Sequence, residues 1–289
     1  MKIITLVENT AKNPNLIAEH GLSIYIETDH HKLLVDTGSS DALLHNAHAL
    51  GIDLTQVDTV ILSHGHYDHS GGILPFTARN PNAKIYMQRK ALDDYYHGER
   101  YIGIDKRISE LPQVQLLDGD FTIDEELSLF TNITGRRFWP KSNIGLTKHI
   151  NHSTSPNAAN ITVDEQNHAS EYTEQQDQFD HEQCLVITQG KEKILLSGCA
   201  HNGILNLLDH YEKLYHELPQ LVISGFHMMK KTGEYTEEES SIITQTALEL
   251  SNSDIKFYTG HCTGQPAYDM MKPIMRDKLQ QISTGVSIR

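Results

Sequence analysis

Cysteine, positive charge and long apolar runs are all scarce in this chain. Cys184, Cys199 and Cys262 are the three cysteines in 289 residues, an odd, sparse set that argues against a disulfide framework and suits a reducing compartment. No run approaches the roughly 20 apolar residues a membrane helix needs. The opening segment MKIITLV is too short for the apolar core of a signal peptide. Lysine and arginine number 24 against 38 acidic residues, giving a formal charge of −14. A nucleic-acid backbone or an anionic membrane as main partner is thereby disfavoured, since both reward basic surfaces. The expectation is a cytoplasmic protein acting on a small-molecule substrate. With no evident linker, one domain over residues 1–289 is expected. Composition says nothing of the oligomeric state.

Histidine is plentiful instead, 18 of 289. The segment Leu62-Ser63-His64-Gly65-His66-Tyr67-Asp68-His69-Ser70-Gly71-Gly72 packs four metal-ligand side chains into six positions, between an apolar strand and a glycine pair. If positions were independent, H-x-H-x-D-H would arise about a few times per thousand such sequences. Imidazole nitrogen and carboxylate oxygen are donors that borderline divalent ions such as Zn²⁺ prefer.

The first half alternates β-branched runs with helical patterns. Residues 2–7, 22–27, 31–36 and 59–62 read as strands, and 40–50 as a helix ended by Gly51. Residues 84–87 read as a strand, 90–96 as a helix, and 114–117 and 127–131 as strands. Residues 150–180 are polar and aperiodic and predict a long loop or insertion. Beyond it, 183–188 and 193–196 form a hairpin, 204–215 an amphipathic helix, and 221–224 and 256–259 buried strands. Thr236 to Glu239 has the form of a capping box, and a further helix opens at Gln265-Pro266, with Pro273 expected to kink or interrupt it. This order predicts two mixed sheets packed face to face with helices outside, an α/β (α+β) architecture.

Several strands end in one vocabulary: Asp36-Thr37-Gly38, His64 to Gly72, Ser197-Gly198-Cys199-Ala200-His201, Ser224-Gly225-Phe226-His227 and Gly260-His261-Cys262. Strand ends carrying such side chains can converge on one edge of a sandwich. Asp36 is either an Asx-type turn residue or an acid that orients a liganding histidine from behind. Arg136, Arg137 and Lys141, beside Trp139, form a short cationic and aromatic run that suits a phosphate and a planar ring, or simply a solvated surface.

These blocks, with Leu33-Leu34-Val35-Asp36-Thr37-Gly38, Asp180-His181-Glu182-Gln183-Cys184-Leu185 and Gly260-His261-Cys262-Thr263-Gly264, resemble the metallo-β-lactamase-fold hydrolases. Within them they resemble the branch named after 7,8-dihydropterin-6-methyl-4-(β-D-ribofuranosyl)-aminobenzene-5'-phosphate synthase. The resemblance implies the αββα sandwich and a dinuclear zinc site, with manganese or iron as substitutes. It places His64, His66 and His181 at a first metal and Asp68, His69 and His261 at a second. Where most members carry a bridging aspartate, this chain has Cys199, which can bind one metal, bridge two, or line the site. The implied activity is hydrolysis by a metal-held hydroxide, with Asp68 orienting the nucleophile and His201 or His227 contacting substrate oxygen or protonating the leaving group. The branch name implies a phosphoester or a pterin or ribosyl-phosphate-like substrate. Lactone or thioester hydrolysis and a non-catalytic metal-containing binding protein are the alternatives, while an iron redox role lacks the flavin module it would need.

Overall fold

The computed structural model describes residues 1–151 and 172–288. The first sheet runs in the order β1 (Lys2–Val7), β2 (Ser23–Glu27), β3 (Lys32–Val35), β4 (Thr59–Ile61), β5 (Lys84–Gln88), β8 (Val114–Leu117). Its first two pairings are antiparallel, and those from β3 to β8 are parallel. The second sheet runs β17 (Leu279–Gln281), β16 (Lys256–Thr259), β15 (Leu221–Ile223), β14 (Glu192–Leu196), β13 (Cys184–Gln189), β10 (Leu127–Phe130), β9 (Phe121–Thr122). From β14 to β17 its pairings are parallel.

Alternation along these strands explains the layering. Leu33 and Val35 face the second sheet, where Leu185, Ile187, Ile194, Leu196, Leu221 and Ile223 meet them. Leu34, one residue out of phase, packs with Leu43 and Ala47 of α1 (Ala42–Ala49) and with Ile73 and Phe76 of α3 (Ile73–Arg79). Val186, Leu195 and Val222 face outward against α4 (Ile204–Tyr215), α5 (Glu237–Ser251) and α6 (Gln265–Met275). Strands apolar on both faces are what a four-layer αββα sandwich requires. The capping box at α5 is present, Thr236 and Glu239 exchanging side-chain and main-chain bonds.

Three expectations change. Residues 90–96 are not a helix: a short 3₁₀ turn (Arg89–Leu92) gives way to β6 (Asp94–His97). Tyr95 there is buried against His181, which a surface helix would not allow. The polar segment is not a loop throughout, because β11 (Leu146–Asn151) and β12 (Tyr172–Gln176) pair antiparallel at its two ends, in a small sheet with β6 and β7 (Arg100–Tyr101). The rest of that expectation, residues 152–171, lies outside the described residues. Finally, α6 runs through Pro273 to Met275, since proline in the last turn removes one hydrogen bond near an end that was about to finish.

The sheets are also tied at their polar end. His31 places Nδ1 2.8 Å from Asp58, just before β4, and Nε2 2.6 Å from Asp124, in the β9–β10 turn. Burial lowers the His31 pKa, but hydrogen bonds and charge from the two aspartates outweigh it and the net shift is upward. A raised folded-state pKa contributes stability that is complete below the unfolded value of about 6.5 and is lost as pH climbs through the folded value. His31→Gln should therefore cost up to about 1 kcal/mol in urea unfolding at about pH 5.5, with the difference shrinking at about pH 9. An equal difference at both pH values would contradict this.

Candidate metal centre

Parallel strands bring their carboxyl ends to one edge, and both sheets do so here. β3 ends at Asp36, β4 delivers the histidine loop, β14 leads to Cys199 and His201, β15 to His227 and β16 to His261. Asp36, Ala200, His227 and His261 have φ between 47° and 59°, a conformation that non-glycine residues adopt at a cost of order 1 kcal/mol. The turns also crowd: a Cβ on Gly198 would stand 2.1 Å from Ser63 Oγ, so no other residue lets β14 approach the histidine loop so closely.

Four histidines are oriented in one way. His69 Nδ1 lies 2.6 Å from Asp36 Oδ2, and His64 Nδ1 lies 2.8 Å from Ser63 Oγ, which itself donates to Asp36 Oδ2 at 2.7 Å. Asp36 Oδ1 accepts the Ser63 N–H at 2.8 Å, so the acid supports the ligands from behind. His201 Nδ1 meets Asn143 Oδ1 at 3.0 Å, and His261 Nδ1 meets Asn9 Oδ1 at 3.1 Å. With Nδ1 engaged outward, Nε2 presents its lone pair inward. His64 and His201 Nε2 are 3.2 Å apart, and His69 Nε2 is 3.1 Å from Cys199 Sγ.

All the residues expected at the metals meet here. Four trios have ligand atoms within 4.8 Å of one another: His64, Cys199 and His201; His69, Cys199 and His261; His20, Asp68 and His261; His66, Asp177 and His181. Among the described residues, His66 Nε2 and His261 Nε2 are buried without a hydrogen-bond partner, although Asp68 Oδ2 stands 3.3 Å from the latter. Lone pairs left unsatisfied are what a cation would take up, and imidazole, thiolate and carboxylate donors fit a divalent transition metal. His181 is placed differently: Nδ1 accepts the Gly65 N–H at 2.8 Å and Nε2 faces Asp177 Oδ2 at 3.0 Å. His201 falls in one of these trios, its Nε2 3.2 Å from His64 Nε2. Its ring stacks on Phe179 at 4.3 Å, and it is 1 % exposed. His227 lines the open cleft, its Nδ1 held 2.8 Å from Ser142 Oγ.

Electrostatics suit this role. Burial, with neighbouring imidazoles in support, drives His64 and His201 well below their ordinary pKa. Burial likewise takes His66 and His227 to about 3 and His261 to about 4. The rings are therefore neutral at physiological pH. Burial raises the Asp68 pKa, but His69, His20 and His261 outweigh it and hold the carboxylate well below its ordinary value. Burial, joined by Cys262 and nearby carboxylates, pushes the Cys199 thiol up.

Sequence reading missed the residues that fasten these turns. Buried Glu182 accepts the main-chain N–H groups of His201 and Asn202 at 2.7 and 3.0 Å, and Glu8 accepts that of His261 at 2.7 Å. Asp177, Asn9, Asn143 and His20 were missed too. Asn9, Asn143 and His20 are lone polar residues far along the chain from their partners, and Asp177, four residues before His181, sits in a run of polar residues with nothing to single it out.

A cleft of about 560 Å³ opens over the centre, with His66, Asp68 and His227 in its lining. Arg100, Lys141, Lys230 and Lys231 also line it. Lys141 and Lys230 pair with Glu238 and Glu239, whereas Arg100 lies 4.8 Å over the Tyr67 ring and, among the described residues, neither it nor Lys231 has a carboxylate partner. The basic run expected around Trp139 does not form one patch. Arg136 bonds Gly135 O and Asn202 Oδ1, and Arg137 is held by Asp209 and Glu249, which leaves Lys141 alone to reach the cleft.

Fold and centre together define a metallo-β-lactamase-type sandwich. The profile of the metallo-β-lactamase superfamily matches residues 17–135, and the chain carries a domain of that superfamily. Among its relatives, an uncharacterized protein of Methanocaldococcus jannaschii is 26% identical over 90% of this chain and 89% of its own length. The 7,8-dihydropterin-6-methyl-4-(beta-D-ribofuranosyl)-aminobenzene-5'-phosphate synthase of the same organism is 25% identical, over 100% of this chain and 96% of its own. Among solved structures, a metal-dependent hydrolase of the β-lactamase superfamily superposes with a TM-score of 0.77 at 27% identity, covering 100% of this chain and 98% of that one. Among the described residues no helix is long and apolar enough to cross a membrane.

Asp36→Asn should lower divalent-metal affinity about 10- to 100-fold in chelator competition, with far-ultraviolet circular dichroism unchanged. Wild-type affinity in that variant would remove the positioning role of Asp36.

Proposed function

We propose that this chain is a metal-dependent hydrolase of a small anionic ester, with a phosphoester as the preferred substrate. The observation that carries the reading is inward-facing Nε2, Sγ and carboxylate atoms beneath a cleft whose rim holds two cations, Arg100 and Lys231, that have no carboxylate partner among the described residues, on a chain of net charge −14. His64, His66, His69, His181, His201 and His261, with Asp68 and Cys199, are the residues to hold a pair of zinc ions. When bound, such a pair supplies Lewis acidity to the ester and brings the pKa of water toward neutrality.

The chain's own residues do the rest. Asp68, held ionised at the cleft, orients the attacking water by accepting its hydrogen bond. His227, neutral and fixed by Ser142, contacts the substrate oxygen. Since that ring rests unprotonated, hydrogen bonding suits it better than delivering a stored proton. Arg100 and Lys231 receive the anionic group, the guanidinium backed by the Tyr67 face. Tyr95 and Phe179, both buried, keep water from the far side of His181 and His201.

A zinc-loaded sample assayed against phosphodiesters, phosphomonoesters, lactones and thioesters tests the proposal. Turnover of a phosphoester is expected, and Arg100→Ala should raise its KM about tenfold while kcat stays within about threefold. Silence across the whole panel would contradict hydrolysis. An equal KM increase for a neutral lactone would contradict the anionic-substrate assignment.

A further inference from the structure

We propose that Cys199 is a bridging thiolate ligand shared by two metal positions, one flanked by His64 and His201 and the other by His69 and His261. The inference rests on the two-metal reading of the site and deepens it. Among the described residues, Cys199 is the one side chain common to both of these trios, its Sγ within 4.8 Å of the ligand atoms on either side and 3.1 Å from His69 Nε2. It is 3 % exposed, at the end of a buried parallel strand, and Gly198 before it lets that strand end approach Ser63 and Asp36, the residues that orient His64 and His69.

The neighbouring histidines supply the independent sign of a ligand. His261 is 2 % exposed and, among the described residues, its Nε2 has no hydrogen-bond partner, although Asp68 Oδ2 stands 3.3 Å away, while Asn9 fixes the opposite ring nitrogen. His64, His69 and His201 are oriented in the same sense by Ser63, Asp36 and Asn143. A ligand atom from each of these four histidines thus lies within 4.8 Å of one sulfur. The second thiol nearby, Cys262, donates to the main-chain carbonyl of Cys199 at 3.6 Å and lies beside the Cys199 thiol, but it belongs to none of the four trios.

The chemistry is consistent with a bridge. A thiolate sulfur carries more than one lone pair available to cations, so one atom can serve two metals where a carboxylate would use two oxygens. Coordination replaces the thiol proton with the cations, and that proton leaves to bulk water. The placement also brings in His201, whose Nε2 lies 3.2 Å from His64 Nε2, whereas His181 Nε2 faces Asp177 Oδ2 at 3.0 Å, in a separate trio with His66.

Anaerobic titration of the metal-free full chain with Co²⁺ tests this. A near-ultraviolet sulfur-to-cobalt charge-transfer band should grow through both the first and the second equivalent, and magnetic coupling should attenuate the electron paramagnetic resonance signal at the second. Cys199→Ser should lose the band and bind the second equivalent at least about tenfold more weakly. Cys199→Asp should bind two equivalents without the band, which also guards against a serine variant that fails to fold. Cys262→Ser should keep the band. No band in the wild-type chain, a band complete at one equivalent, or a band lost in Cys262→Ser but kept in Cys199→Ser would overturn the bridge. These readouts do not use turnover: a silent substrate panel with the band intact would reject the hydrolase reading and leave the bridge standing.

Discussion

Hydrogen bonds at the outward ring nitrogens of His64, His69, His201 and His261 set the character of this molecule. Each fixes a tautomer and a ring plane, and together they aim four lone pairs at one small volume. Imidazoles crowded in that way gain nothing from one another; burial prevents His64, His201 and His261 from escaping by protonation, while at His69 the burial is outweighed by Asp36 and Asp68 and the net shift is upward. The arrangement makes physical sense around cations. Everything else serves it: parallel strands bring the turns to one edge, glycine at 198 permits close approach, and Glu8 and Glu182 bind the turns that carry His261 and His201.

Much of the fold was legible because both sheets are buried on both faces. Leu33-Leu34-Val35, Leu185-Val186-Ile187 and Leu221-Val222-Ile223 are continuous apolar runs of strand length, each ending in a turn, and such runs have few alternatives. The segment around Tyr95 misled because its side chains suit either a helix or a strand, and burial against His181 decides between them. The polar insertion was misread at its ends, where β11 and β12 pair through main-chain bonds that make little demand on side-chain hydrophobicity.

The expected ligands converge, because their residue types and their places after strands are local signals. What supports them was not legible. Asn9 and Glu8 act across more than two hundred residues and Asn143 across 58, while Asp177 is four residues from His181, and a solitary buried polar group looks in sequence like any exposed one. Asp36 could be either turn former or support, and its three hydrogen bonds to Ser63 and His69 settle which. Net charge was a poor guide to the cleft. A chain of −14 places Arg100 and Lys231 over its centre, while the conspicuous Arg136-Arg137 pair is absorbed by loop carbonyls and by the acids of α4 and α5.

The most direct test of the account is anomalous diffraction across the zinc absorption edge, from crystals of the full chain grown with Zn²⁺. Two peaks are expected, one beside His64 and the other beside His261, each within about 2.0–2.3 Å of the inward nitrogens. Ordered zinc elsewhere, or an empty centre with the four rings unchanged, would contradict the claim that these side chains are arranged to hold metal.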